Sequence, residues 1–297
     1  MSEAAYRVNA LSAVLGAEVV GVDVTAARFV DDFELLQARL HEHQLLAFRD
    51  QTLTPADLVA FTRRFGAPEP HVLQHWSLPG FPEIYVLSNI VENGRQIGST
   101  EEGLGWHTDL TYMPYPAGYT ILYALEVPVA GGDTLFASLY RAYDTLAEDE
   151  RKRLRPLTGR FHYEKYYNRR KNMPPLTDEQ KARTPVVEHP LVRIHPFTGR
   201  EGMYVNRSDC IGVIGMDDAE GVALVERMFE YTLDARFQYA HRWKRGDLVI
   251  WDNRGLLHRA TPYDLERERR CVWRTSVRGE KPIGYASRRQ GAAATAD

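Results

Sequence analysis

The sequence predicts a mainly β protein, a sandwich or barrel with flanking helices packed outside it. From about residue 84 the chain becomes a succession of short apolar runs punctuated by Gly, Pro and Asp: "EIYVLSN", "AGYTILYALEV", "GGDTLFAS", "LVRIHP", "GMYVN", "GDLVIWDN" and "RCVWRTSV". That is the texture of strands joined by turns. Two helical stretches, "SLYRAYDTLAEDERKRL" and "DDAEGVALVERMFEYTL", interrupt it and belong on the outside.

Taken in order, "AEVVGVDV" alternates apolar residues as a strand does, "DDFELLQARLHEHQ" has helical spacing, and "LLAFRD" reads as another short strand. "TPADLVAFTRRFG" is a helix with its signals in place: Thr54 as N-cap, Pro55 at the first helical position, Asp57 at the capping-box position and Gly66 closing it. The strand runs follow. The first helical stretch among them covers 138–154, and the second opens on a D-x-x-E pattern at Asp217 and Glu220. No linker is strong enough to cut the chain, so one domain over 1–297 is expected, with a frayed tail from about 287, "GAAATAD".

Composition narrows the function classes. The chain has 297 residues, 44% hydrophobic and 26% charged, ordinary for a globular protein with a sizeable core. A formal charge of -3 gives no nucleic-acid footprint, and the basic clusters "RRK" at 169–171 and "RERR" at 267–270 read as solvated faces. The two cysteines, Cys210 and Cys271, lie far apart without C-x-x-C spacing, which argues against a disulfide framework or a thiolate zinc site. The N-terminus lacks a basic segment followed by an unbroken apolar one, and no stretch approaches the ~18 apolar residues of a membrane span. A cytoplasmic protein with no membrane partner is expected.

The chemistry is concentrated in "GWHTDLTYMPY". In an extended segment residues i and i+2 share a face, so His107 and Asp109 stand side by side while Thr108 points away. The third ligand of a metal site is found in "GDLVIWDNRGLLHRATPYD", where a strand over 248–251 runs into a turn at 252–255 and His258 follows. Two His and one carboxylate with open coordination positions suit a non-heme Fe(II) oxygenase; zinc accepts the same ligands. In "RRCVWRTSV" a period of two puts Arg270, Val272 and Arg274 on one face. Guanidiniums facing a barrel interior need anions, and Arg clamps carboxylates and sulfonates by paired hydrogen bonds. His41 and His43 do not share a helix face and read as surface residues, while His189 and His195 read as structural.

These segments resemble, in order and through most of the chain, the Fe(II)- and 2-oxoglutarate-dependent dioxygenases related to taurine dioxygenase and 2,4-dichlorophenoxyacetate dioxygenase. "LGAEVVGVDV", "FTRRFG", "WHTDLTY", "GGDTLFAS", "HPLVRIHPFTGREGMYVN", "GDLVIWDNRGLLHRA" and "RRCVWRTSV" carry the resemblance. It implies a double-stranded β-helix, the jelly-roll or cupin-like core, with His107, Asp109 and His258 as iron ligands. It implies Thr134 and Arg270 on the distal carboxylate of 2-oxoglutarate, and Arg274, His71, Tyr112 and Leu110 around the substrate. O2 and 2-oxoglutarate would be consumed with Fe(II), giving succinate and CO2 and hydroxylating a C–H bond of a small anionic molecule: a carboxylate, sulfonate or sulfate ester. If the hydroxylated carbon bears a heteroatom, C–O or C–S cleavage can follow. Asp109 argues against a halogenating relative, in which a small residue makes room for halide. Gly103 and Gln74 replace an Asn and a Tyr of the taurine enzyme, so taurine itself is not the expected substrate. A homo-oligomer, dimer or tetramer, is expected, though no residue fixes the state. The competing readings are a non-catalytic metal-binding β-barrel sensor and a zinc hydrolase on a similar barrel. Neither would need the cosubstrate contacts Thr134 and Arg270.

Overall fold

The computed structural model describes residues 6–25, 33–71, 74–100, 103–168 and 175–285; the cluster at 169–171 and the tail from about 287 lie outside the described residues. The chain is mostly β with some helices, and it forms two compact units. One comprises Met1–Trp106, Ala117–Phe136 and Gln238–Arg278, the other His107–Pro116, Ala137–Phe237 and Gly279–Asp297.

The first unit is built on an eight-stranded sheet. Its order is Arg7–Ala10, Ala17–Val20, Leu45–Phe48, Leu248–Asp252, Ala117–Glu126, Cys271–Arg278, Phe81–Ser88 and Ser77–Leu78. Alternation explains its two faces. Leu46, Phe48, Tyr119, Ile121, Leu248 and Ile250 pack with Leu36 and Leu40 of helix Phe33–His43 and Leu58, Phe61 and Phe65 of helix Pro55–Phe65. Leu45, Ala47, Leu122, Ala124, Val249, Trp251 and Val272 face the other way, against Phe136 and Leu256. Those last two belong to a three-stranded sheet of Gln238–His241, Thr134–Ser138 and Leu256–Ala260. Central strands therefore read as unbroken apolar runs because both of their faces are covered.

The capping box of Thr54 and Asp57 is present, with Pro55 opening the helix and Gly66 closing it. Gly66 has φ 141°, and a Cβ there would meet Val277 Cγ1 at 2.8 Å, so the closing glycine also serves the packing of helix on sheet. Strand Ala17–Val20 stops short of the expected 17–24 because Gly21 turns left-handed at φ 87°.

In the second unit Thr158–Phe161 is central to a sheet with Val187–Pro190 and Cys210–Val213, and Val192–Ile194 pairs with Glu201–Met203. Helix Asp218–Thr232 begins at Asp217, whose carboxylate accepts from the N–H groups of Ala219 and Glu220. The expected single helix over 138–154 is instead two, Leu139–Asp144 and Glu148–Leu154. Thr145 ends the first by turning its hydroxyl and amide onto Ala142 O, and Glu148, Asp149 and Glu150 start the second at its positive end.

Candidate metal and cosubstrate centre

His107 is an isolated bridge residue rather than part of a strand, and Asp109 opens the turn that follows it, in which Leu110 takes a left-handed φ of 60° and Met113 N donates to Leu110 O at 2.9 Å. A non-glycine residue at positive φ must be held there by its surroundings. Thr111 supplies one hold: its buried hydroxyl donates to Asp209 and accepts from Asn206 Nδ2 at 2.8 Å. His189 supplies another, with Nε2 3.0 Å from Met113 O. Burial lowers the His189 pKa to about 4, so the ring is neutral and Nε2 carries the proton it donates. Burial also pushes the Asp209 carboxyl up to about 7, against the pull of the Thr111 hydroxyl. Held this way, His107 Nε2 lies 3.5 Å from Asp109 Oδ1. The same-face expectation is met by a constrained turn.

His258 sits in the middle of strand Leu256–Ala260, buried, with its ring 4.8 Å from that of Trp251 and 6.2 Å from that of Phe136. The turn before it is tied into the large sheet. Trp251 Nε1 donates to Asn253 Oδ1 at 3.0 Å, Asn253 Nδ2 to Thr120 Oγ1 at 2.8 Å, and Arg254 donates to both Gly118 O and Asp252 Oδ1. His107 and Asp109 thus offer ligand atoms side by side in one unit, and His258 offers a buried imidazole on its strand in the other. Two imidazoles and a largely buried carboxylate are a donor set that fits a divalent transition metal with coordination positions to spare.

Thr134 and Arg270 are both buried, the first opening strand Thr134–Ser138 and the second just ahead of strand Cys271–Arg278. Gly131 and Gly132 form the turn before Thr134 at φ 76° and 69°. A Cβ on Gly132 would stand 2.6 Å from Pro128 Cγ and 3.6 Å from Arg270 Cδ, so the glycine lets the turn lie against the Arg270 stem. Among the described residues Arg270 pairs with no carboxylate, and burial pulls its guanidinium below the ordinary arginine range. A buried cation of this kind is matched to an anionic ligand, as 2-oxoglutarate requires.

Of the residues expected around a substrate, His71 packs its ring on Tyr85 at 4.0 Å, and Tyr85 is the cross-strand partner of the half-buried Arg274. Tyr112 is buried with Tyr163, Tyr167 and Leu176, and Leu110 packs at the edge of that cluster. His41 departs from expectation: it is half-buried, with Nε2 2.6 Å from Tyr119 Oη. His195 Nδ1 accepts from the amides of Phe197 and Thr198, and Asp252 from Arg254. Sequence reasoning missed Thr111, Asn206 and Asp209, whose role depends on pairing across 95 and 98 positions of chain.

A family model described as "Taurine catabolism dioxygenase TauD, TfdA family" matches residues 7–276. The chain belongs to the TauD/TfdA family. It is 34% identical over 290 residues to the (S)-phenoxypropionate/alpha-ketoglutarate-dioxygenase of Sphingobium herbicidovorans, covering 93% of this chain and 96% of that one. It is 31% identical over 271 residues to the alpha-ketoglutarate-dependent 2,4-dichlorophenoxyacetate dioxygenase of Cupriavidus pinatubonensis, covering 88% and 94%. Among solved structures, a taurine dioxygenase from Burkholderia xenovorans matches with a TM-score of 0.77 at 31% identity, over 95% of this chain and 94% of that one. This TauD/TfdA member is thus a 2-oxoglutarate-dependent non-heme Fe(II) dioxygenase that uses Fe(II), 2-oxoglutarate and O2. These relatives give no support to the sensor or zinc-hydrolase readings. Among the described residues no helix is long and apolar enough to cross a membrane.

Proposed function

We propose that His107, Asp109 and His258 hold the iron, that Thr134 and Arg270 hold the distal carboxylate of 2-oxoglutarate, and that the substrate is a small anion. The observation that carries the metal assignment is the pairing of His107 Nε2 with the buried Asp109 Oδ1 at 3.5 Å on one constrained segment. Bound Fe(II) supplies the redox chemistry by which O2 and 2-oxoglutarate are converted to succinate and CO2 while a substrate C–H bond is hydroxylated. The chain supplies orientation and the exclusion of water. Arg270 would pair with the far carboxylate of the cosubstrate and Thr134 would add a hydrogen bond to it, fixing that end of the molecule.

The anionic substrate is supported by Arg274, which lies four residues along the strand from Arg270, roughly 13 Å. Relatives named for phenoxypropionate, 2,4-dichlorophenoxyacetate and taurine support it as well. His71, through Tyr85, lies beside the same strand and completes a polar wall. Leu110 and Tyr112, one and three residues beyond Asp109, supply apolar wall on the metal turn. When the hydroxylated carbon carries oxygen or sulfur, the product collapses with C–O or C–S cleavage. The paired sheets suit a double-stranded β-helix, and the family match over 7–276 suits one dioxygenase domain through 1–297. We place the enzyme in the cytoplasm as a homo-oligomer.

Anaerobic titration with Fe(II) and then 2-oxoglutarate tests the centre. A visible charge-transfer band of the iron chelate is expected, and its absence would overturn the assignment. Oxygen uptake dependent on 2-oxoglutarate, screened over matched anionic and neutral compounds, tests the substrate class. Neutral compounds serving as well as anions would overturn that part alone.

A further inference from the structure

The indole of Trp243 is buried, and its Nε1 donates to Thr134 Oγ1 at 3.0 Å. An indole N–H can only donate, whereas a hydroxyl can donate once and accept. The contact therefore occupies a lone pair of Thr134 and leaves the Thr134 proton to be given elsewhere. Among the described residues no acceptor for that proton is found. We propose that Trp243 is a positioning residue for the cosubstrate: by holding Thr134 Oγ1 as an acceptor it turns the hydroxyl proton toward the carboxylate that Arg270 binds. The inference rests on the placement of 2-oxoglutarate on Thr134 and Arg270.

Trp243 is itself held on several sides. It packs with Phe136, Trp251 and Val272 in the core between the two sheets of its unit, and the ring of His241 meets it edge-on at 4.6 Å. The turn that carries it is fixed by Asp247, fully buried, which accepts from Lys244 N at 2.8 Å, lies 3.2 Å from His241 Nε2 and pairs with Arg49. An indole so restrained has little freedom to follow Thr134. The hydroxyl is thus oriented before any ligand arrives, and the ordering cost is removed from the binding step.

A double-mutant cycle tests this on the Fe(II)-loaded protein under anaerobic conditions, with 2-oxoglutarate affinity read by calorimetry and Fe(II) affinity as the check on the fold. Trp243→Phe keeps an aromatic ring but removes the donor. It should weaken 2-oxoglutarate binding about 3- to 10-fold, leave Fe(II) affinity unchanged, and raise KM for 2-oxoglutarate while kcat at saturation stays the same. In a Thr134→Val background the same substitution should have no further effect, whereas in a Thr134→Ser background, which keeps the hydroxyl, the effect should return. Unchanged affinity in Trp243→Phe would overturn the inference. So would an equal loss in the Thr134→Val background, since Trp243 would then act by packing alone. A Thr134→Val protein that binds 2-oxoglutarate as tightly as the parent would instead overturn the cosubstrate placement itself, and the inference with it.

Discussion

Asp109 is a buried carboxylate beside an imidazole, and its replacement separates metal binding from folding. Asp109→Ala should abolish tight Fe(II) binding, measured by anaerobic equilibrium titration, because a three-ligand site loses one of its groups and its only negative charge. Retained iron affinity and hydroxylation in that variant would remove Asp109 from the site. Arg270→Ala should weaken 2-oxoglutarate by about 2–5 kcal/mol, the cost of stripping a buried carboxylate of its charged partner. Thr134→Ala should cost less, about 1.5–3 kcal/mol, one hydrogen bond to a charged carboxylate. Should Arg274→Ala carry the larger cosubstrate effect, the two arginines have been assigned in reverse. These residue types were legible in the sequence because each carries its chemistry in its side chain. The supporting residues were not legible. Thr111, Asn206 and Asp209 are ordinary polar residues until the fold joins them.

At the scale of elements, the turn over 109–112 depends on Thr111 as its anchor. Thr111→Val preserves volume but leaves the buried Asn206 amide and Asp209 carboxyl without their shared partner. Fe(II) affinity should fall by roughly 10-fold, as expected when a group that orients metal ligands is lost. An unaltered iron dissociation constant would mean that the turn is held by other contacts. Helix Asp218–Thr232 offers a separate test, since Asp217 caps it with two hydrogen bonds. Asp217→Ala should lower unfolding free energy by about 1 kcal/mol in a denaturant titration, with 2-oxoglutarate affinity untouched. The capping signals at Thr54 and Asp217 were readable because a cap is local, spanning a single turn. The break at 145–147 was less so. The apolar spacing continues across it, and the helix is interrupted by the Thr145 contact with Ala142 O and by Leu146 N donating to Tyr143 O.

For the whole molecule, two buried groups oppose one another in pH dependence. His189 titrates near 4 in the fold against 6.5 unfolded, so between those values the unfolded chain binds more protons. Its contribution is complete above pH 6.5 and is lost as pH falls toward 4, on the order of 3 kcal/mol. Asp209 titrates near 7 against 3.8. There the folded chain binds more protons, and a contribution of about 4 kcal/mol, present below 3.8, is lost as pH rises through 7. In the metal-free protein these two slopes should oppose one another between pH 4.5 and 6.5 in urea denaturation, with buried His241, also held below its ordinary range, adding to the loss toward acid in parent and variants alike. Asp209→Asn should expose the His189 slope, with stability dropping toward acid. His189→Gln should expose the reverse, with stability rising toward acid. Parallel pH profiles for the two variants would refute the account.

By itself the sequence determined the strand and helix texture, the capped helix ends, the family, and the identities of the candidate ligands. These are properties of composition, of periodicity over a few residues, and of ordered motifs. The tertiary structure decided what those residues meet. It broke the expected strand after the His107 bridge with a left-handed turn at Leu110, and took His41 from the surface to the Tyr119 hydroxyl. It also set the Trp243 indole against Thr134, across 109 positions of chain. Contacts at such separations leave no periodic trace, because the partners are brought together only when the hydrophobic faces of the sheets close on one another.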